Sequence, residues 1–251
     1  MEKIQLYTFY TFGWDYHMLI SDRHYENVKS AKEFLDKNIG FINKSGLDVT
    51  AQVIKSEKSK SLKNLYLQKN DEAVSEVSVK EIIDFAIAIE KTVDAELRLK
   101  HSFVLTNKRL DLTKLLDNVG ALFGDGVFNR MSYLSQKDFQ EAGKCVAFEM
   151  PTAAAFHILR ATEETLRQFY RKKIPKKNHN SVLLWKPMIE QMRTNPKLRS
   201  YKTLLDSYDN IRFNFRNPTS HPDMFYTLDT VQDLFLLCIE ANSRVINALK
   251  D

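Results

Sequence analysis

The amino-acid sequence predicts an α+β protein in two parts: a small mixed α/β domain over residues 1–110 and a helical bundle over residues 111–251. Three observations lead there. With only 7 Gly and 6 Pro in 251 residues, the chain has too few turn formers for a loop-rich all-β fold. Its hydrophobic pattern changes from strand-like alternation near the start to helical spacing after Ser135. Its charge is uneven as well. Residues 1–136 carry 19 Lys+Arg and 19 Asp+Glu, whereas residues 137–251 carry 18 and 13.

In the first part, Lys3–Tyr10 alternates Ile4, Leu6, Thr8 and Tyr10, a strand period that Tyr16–Ser21 continues. Glu26–Ile42 reads as helix, with Val28, Ala31, Phe34, Leu35 and Ile39 on one face, and Gly46 ends it. Asp48–Ile54 and Leu62–Gln68 read as short strands. Ser78–Leu99 reads as a long helix, because Ile82, Phe85, Ile89, Val93 and Leu97 recur at spacings of three and four, with Ser78 and Glu81 as a capping box. His101–Thr106 supplies a last strand. The order β-α-β-β-α-β has the ferredoxin-like shape. Tyr7, Tyr10, Trp14 and Tyr16 fit the core and edges of such a small sheet better than a base-stacking surface.

The domain boundary is expected between Asn107 and Ser135. Asp111–Phe123 is a short helix, Gly124-Asp125-Gly126 a turn, and Ser135 the N-cap of a helix to Phe148. Pro151 starts the next helix, to about Arg171. A basic loop, Arg171–Asn180, leads to a helix over Ser181–Arg193. Pro196 opens a helix whose stripe is Leu198, Tyr201, Leu204, Tyr208, Ile211 and Phe215. Thr227 caps the last helix, where Val231, Leu234, Cys238, Ala241, Val245 and Ala248 repeat at three and four. Short connections between such helices make a bundle.

Several function classes find no support. No stretch approaches the roughly 18 uncharged apolar residues of a membrane span, and the N-terminus lacks the basic-then-apolar layout of a signal peptide. Cys145 and Cys238 sit far apart among apolar residues, which fits two buried thiols in a reducing cytoplasm. The six histidines do not cluster and no Gly-rich phosphate loop is present, so neither a metal nor another cofactor is expected.

The residues that can do chemistry lie near the end. Pro218 stops or kinks the helix near Asn217, placing Arg216 at the edge of the buried stripe and His221 in the following turn. A guanidinium forks onto phosphate oxygens, and histidine takes or gives a proton near neutral pH. RNA supplies its own nucleophile, the 2′-hydroxyl. An Arg and a His five apart also occur as an ordinary ion-pair or capping arrangement. Residues 160–216 carry 14 basic against 5 acidic residues, a surplus that suits an anionic partner or simply a solvated face. Its densest run, Arg171, Lys172, Lys173, Lys176 and Lys177, reads equally as an RNA-binding stretch or a solvated loop. Glu163 interrupts the apolar stripe of Phe156, Leu159, Leu166 and Tyr170, and needs a partner such as Arg160 or Arg167. His157 lies off that stripe and reads as a surface histidine.

The run Arg216-Asn217-Pro218-Thr219-Ser220-His221 resembles the motif of the HEPN superfamily: an arginine, a polar residue, a spacer and a histidine ahead of the last helix. Glu141-Ala142-Gly143-Lys144-Cys145 and the run from Thr152 to Glu163 resemble the first helices of bacterial HEPN-like proteins. The resemblance covers roughly Asp111 to the C-terminus. It implies a dimeric ribonuclease, often a toxin or antiviral effector held by an antitoxin or other partner protein, with two motifs facing each other across the dimer interface. Arg216 and His221 would then be catalytic, Asn217 the supporting polar residue, and Arg160 and Glu163 a supporting shell. The alternative is a non-catalytic HEPN dimer that binds nucleic acid, a nucleotide or a partner protein. The sequence departs from the family at one point: some members are silenced by nucleotidyl transfer onto a tyrosine two residues after the histidine, where this chain has Asp223, and its nearest tyrosine is Tyr226.

Overall fold

A computed structural model describes residues 5–21, 25–176, 183–219, 221 and 224–249. The chain forms two compact units, Met1–Phe103 and Val104–Asp251, each with its own apolar core. Among the described residues there is no strand, so the α/β reading of the first part, and with it the ferredoxin-like order, is overturned.

The first unit is built of helices α1 (Leu6–Ser21), α2 (Val28–Lys44), α3 (Asp48–Ser61), α4 (Lys63–Leu67) and α5 (Glu76–Leu99). Lys3 and Ile4 lie outside the described residues, and over the rest of Lys3–Tyr10 the alternation is misleading because the residues of α1 that reach the core are Phe12, Tyr16 and Leu19, at spacings of four and three. Tyr7, Tyr10 and Trp14 are exposed, and the buried Tyr16 hydroxyl donates to the Ala86 carbonyl of α5. Burial pushes the Tyr16 phenol well above its ordinary pKa, and the Glu90 carboxylate adds to that. Two expected strands, Asp48–Ile54 and Leu62–Gln68, are instead α3 and α4, each capped from α5. Neither has a local side-chain cap. Glu96 accepts from the Val49 and Thr50 amides at 3.0 and 2.7 Å, and Glu81 accepts from those of Asn64 and Leu65 at 3.1 and 3.0 Å. These carboxylates satisfy amides that a helix start leaves unpaired. Glu81 therefore serves α4 rather than a capping box with Ser78, and Ser75 is the N-cap of α5. Asn27 with Ser30 forms a capping box at α2, and Gly46, at φ +67°, turns the chain into α3. His101–Thr106 is irregular.

The second unit contains α6 (Leu112–Asp117), α7 (Tyr133–Ala147), α8 (Pro151–Lys173), α9 (Trp185–Thr194), α10 (Lys202–Ile211), the short turn α11 (Asn217–Thr219) and α12 (Leu228–Asn247). It is a helical bundle in which α8 packs against both α7 and α12. Its first turn is helped by Pro151, whose missing amide costs nothing there. The N-cap of α7 is Ser132, one turn earlier than the expected Ser135, which is itself buried and donates to the Ala161 carbonyl. Thr227 caps α12, as its place in the sequence suggests. At Gly143 a Cβ would collide with the Leu115 carbonyl, so α7 and α6 approach through bare backbone there. Inside, the Tyr208 hydroxyl donates to Asn242 Oδ1 at 2.6 Å, and Asn242 Nδ2 donates to the Thr162 hydroxyl at 3.0 Å. This fully paired polar chain ties α10, α12 and α8 in one register. Cys145 and Cys238 are both buried, and burial pushes the Cys238 thiol up to about 12. Among the described residues no helix is long and apolar enough to cross a membrane.

Candidate functional site

Helix α8 turns an apolar face to the core through Ile158, Ala161, Thr165, Leu166 and Phe169, and carries Arg160, Glu163 and Arg167 along its edge. Facing that edge is the end of α10. There the chain leaves α-helical winding for a π-helical turn, Arg212–Arg216, in which the Asn217 amide donates back to the Arg212 carbonyl. Such wide turns are rare and concentrate at functional positions. Arg216 closes this turn. With Phe156, Leu159, Arg160, Glu163 and Thr219 it lines a cleft of about 160 Å³. That is below the roughly 300–1,000 Å³ of small-molecule pockets, and suits a single group such as one phosphate.

Two carboxylates organise the cations here. Glu163, whose side chain is 14% exposed, accepts from Arg167 at 2.6 Å and lies 3.9 Å from Arg216 Nε. Asp138 of α7 is buried; Arg160 donates to it through Nε at 2.6 Å and through a second nitrogen, and His157 Nδ1 lies 3.0 Å away. Burial alone would raise the Asp138 carboxyl, but the hydrogen bonds from Arg160 and His157 outweigh it and hold the group below its ordinary value. The neighbourhood thus gathers three guanidiniums, from Arg160, Arg167 and Arg216, against three carboxylates, since Glu164 also lies 3.6 Å from Arg167.

The turn after Arg216 is anchored from below. Thr219, buried, donates to the Phe215 carbonyl at 2.5 Å, and its hydroxyl lies 2.6 Å from that of Tyr226. Burial raises the Tyr226 phenol above its ordinary pKa, against the Thr219 hydrogen bond. His221 is exposed, with its amide donating to the Pro218 carbonyl at 2.9 Å. Asn217 is half-buried in α11. Neither His221 nor Asn217 lines the cleft. Ser220 and Asp223 lie outside the described residues.

Of the sequence-predicted residues, the structure therefore brings Arg216, Glu163 and Arg160 together, with His221 in the exposed turn beyond. The basic run goes elsewhere. Arg171 donates to Glu164 at 2.9 Å, and both Arg171 and Lys172 line a separate cavity of about 560 Å³ beside Arg130 and Gln168. Lys173 packs over the Phe169 and Tyr201 rings at 5.8 and 5.1 Å, Lys176 is exposed, and Lys177 lies outside the described residues. Sequence reasoning missed Asp138 as a partner, and took His157 for a surface residue when it is half-buried against that carboxylate. The one available signal was the spacing of His157 and Arg160, which puts both on one side of α8. Among the described residues, no three of His, Cys, Asp and Glu gather in a way that would hold a metal ion.

Fold and site together describe a helical bundle with a cleft of about 160 Å³, lined by Arg160, Arg216 and Glu163, at the end of a π-helical turn. No family model matches the chain, and neither a curated protein nor a solved structure matches it.

Proposed function

We propose that the second unit is a metal-independent RNA endonuclease of HEPN type that works as a homodimer, with Arg216 and His221 as its catalytic pair and Asn217 supporting them. The observation that carries this is the placement of Arg216 at the rim of a phosphate-sized cleft with an exposed histidine five residues on. In this reading the cleft receives the scissile phosphate. His221 removes the proton from the 2′-hydroxyl or returns one to the departing 5′-oxygen. Arg216 stabilises the charge that builds on the phosphate oxygens during attack. The products are a 2′,3′-cyclic phosphate and a free 5′-hydroxyl. Glu163 and Arg160 position the site: Glu163 sets the reach of Arg216, and Arg160 fixes the edge of α8 through Asp138. Arg171, Lys172, Lys173, Lys176 and Lys177 would contribute to RNA affinity through backbone phosphates outside the cleft.

The second reading, a non-catalytic HEPN dimer that binds nucleic acid, a nucleotide or a partner protein, is favoured by one contact. Glu163 lies between Arg167 and Arg216 and offsets part of their charge. Incubating the pure protein with tRNA and total RNA in chelator separates the two. Cyclic-phosphate ends that vanish in His221→Ala support the nuclease. RNA binding without cleavage of any RNA supports the second reading. Light scattering near twice 29.3 kDa tests the dimer.

A further inference from the structure

The first unit carries a cleft that the nuclease reading does not use. Helices α2, α3 and α4 line an open cleft of about 590 Å³, within the range of small-molecule sites. Its floor is apolar, formed by Ile39 and Ile54, and it opens to solvent beside Tyr66 and Leu67, which are 41% and 74% exposed. Every ionisable side chain on its wall apart from the Tyr66 phenol is a lysine: Lys55, Lys58 and Lys63. Lys58 is held in place by Asp36 at 2.8 Å, with its ammonium 5.4 Å from the centre of the Tyr66 ring. Lys32 stands 5.5 Å from the same ring. Among the described residues no carboxylate forms an ion pair with Lys55 or Lys63. Asn43 and Ser59 add neutral hydrogen-bonding groups to the wall.

We infer that this cleft binds a nucleoside monophosphate, its base lying on the apolar floor against Tyr66 and its phosphate meeting Lys55 and Lys63. The chemistry selects each part of that ligand. An aromatic side chain gives a sequence-tolerant stacking surface for any base. Two ammonium groups without acidic partners favour a dianion over a neutral guest. Asn43 and Ser59 can pair with a base edge, for which an acyl chain would have no use. This site is independent of the nuclease reading, since it lies in the other unit and needs no cleavage.

Titration calorimetry on the full chain tests it, with AMP, UMP, adenosine, inorganic phosphate and laurate as probes. AMP and UMP should bind, with adenosine and phosphate each at least ten-fold weaker. Lys55→Glu and Lys63→Glu change exposed side chains and should leave the circular dichroism melt unaltered. Each should weaken AMP at least ten-fold. Tyr66→Leu keeps the apolar cover but removes the ring, and should weaken AMP while sparing laurate. No saturable AMP binding would overturn the inference. So would AMP affinity unchanged in the folded lysine variants, or laurate binding more tightly than AMP.

Discussion

Asp138 and Glu163 are two carboxylates gripped by arginines of the same helix, and they differ in what that grip leaves over. Asp138 is 1% exposed and meets Arg160 and His157 at 3.0 Å or less, so α7 and α8 are stapled through a closed set of hydrogen bonds. Glu163 is 14% exposed; it grips Arg167 tightly but Arg216 only across 3.9 Å. A closed set holds structure together because breaking it strands a buried charge. A loose contact at a rim holds a guanidinium near its place while a ligand can still compete for it. The two carboxylates thus separate the scaffold of the site from its working edge.

The largest expected effect lies on the working edge. His221→Ala should slow RNA cleavage by about 10²–10⁴-fold, the usual worth of one positioned acid–base group. Arg216→Ala should cost about 10²–10³-fold by removing charge stabilisation. Both should melt like the parent; a collapse of the melt would assign these residues to the scaffold instead. Next in size, Arg160→Ala leaves Asp138 with His157 as its remaining partner; because the Arg160 side chain is 62% exposed and its loss admits water to the carboxylate, stability should fall by about 1–2 kcal/mol in urea unfolding. An unchanged urea midpoint would break the contrast from the other side.

The acid limb sharpens it further. Because the folded-state pKa of Asp138 is depressed, its contribution to stability is complete above the unfolded value of 3.8 and is lost as pH falls through the lower folded value. The melting temperature of Asp138→Asn should therefore fall less steeply than the parent's below about pH 4. Parallel curves would mean that Asp138 contributes nothing through its charge. The smallest effect belongs to Glu163→Gln, which keeps the shape of the rim and should change stability by under about 1 kcal/mol, the scale of partly exposed pairs. It should instead alter RNA affinity, measured by fluorescence anisotropy, because Arg216 loses its competing carboxylate.

What the sequence made legible follows the reach of the interactions involved. Thr227, Pro151 and Asp111 mark helix starts within one turn of themselves, although the helix begun at Asp111 ends at Asp117 and not at the expected Phe123. The starts of α3 and α4 rest on Glu96 and Glu81, 46 and 16 positions from the amides of Thr50 and Leu65 that they receive. Without local caps, β-branched Val49, Val53 and Ile54 tipped one short stretch toward strand. The candidate site divides in the same way. Arg216, Glu163 and Arg160 stand out by motif and by polarity within an apolar stripe. The Asp138–His157 contact joins residues 19 apart through a packing of α7 on α8 that no local pattern encodes.

The π-helical turn at Arg212–Arg216 also fixes the angular phase of everything after it. Each residue of an α-helix advances the chain by about 100°. Deleting one residue between Phe213 and Phe215 would let α10 continue in ordinary winding, with Tyr208 and Ile211 still seated in the core. Arg216 would then keep its aim at Glu163, because an i→i+5 turn takes up one residue more than an i→i+4 turn over the same sweep. Forcing the intact sequence into ordinary winding would instead swing Arg216 by about 100°, away from Glu163, and the Thr219–Tyr226 latch would lose its register. The wide turn thus takes up one extra residue at the end of a core helix while the residues after it keep their aim.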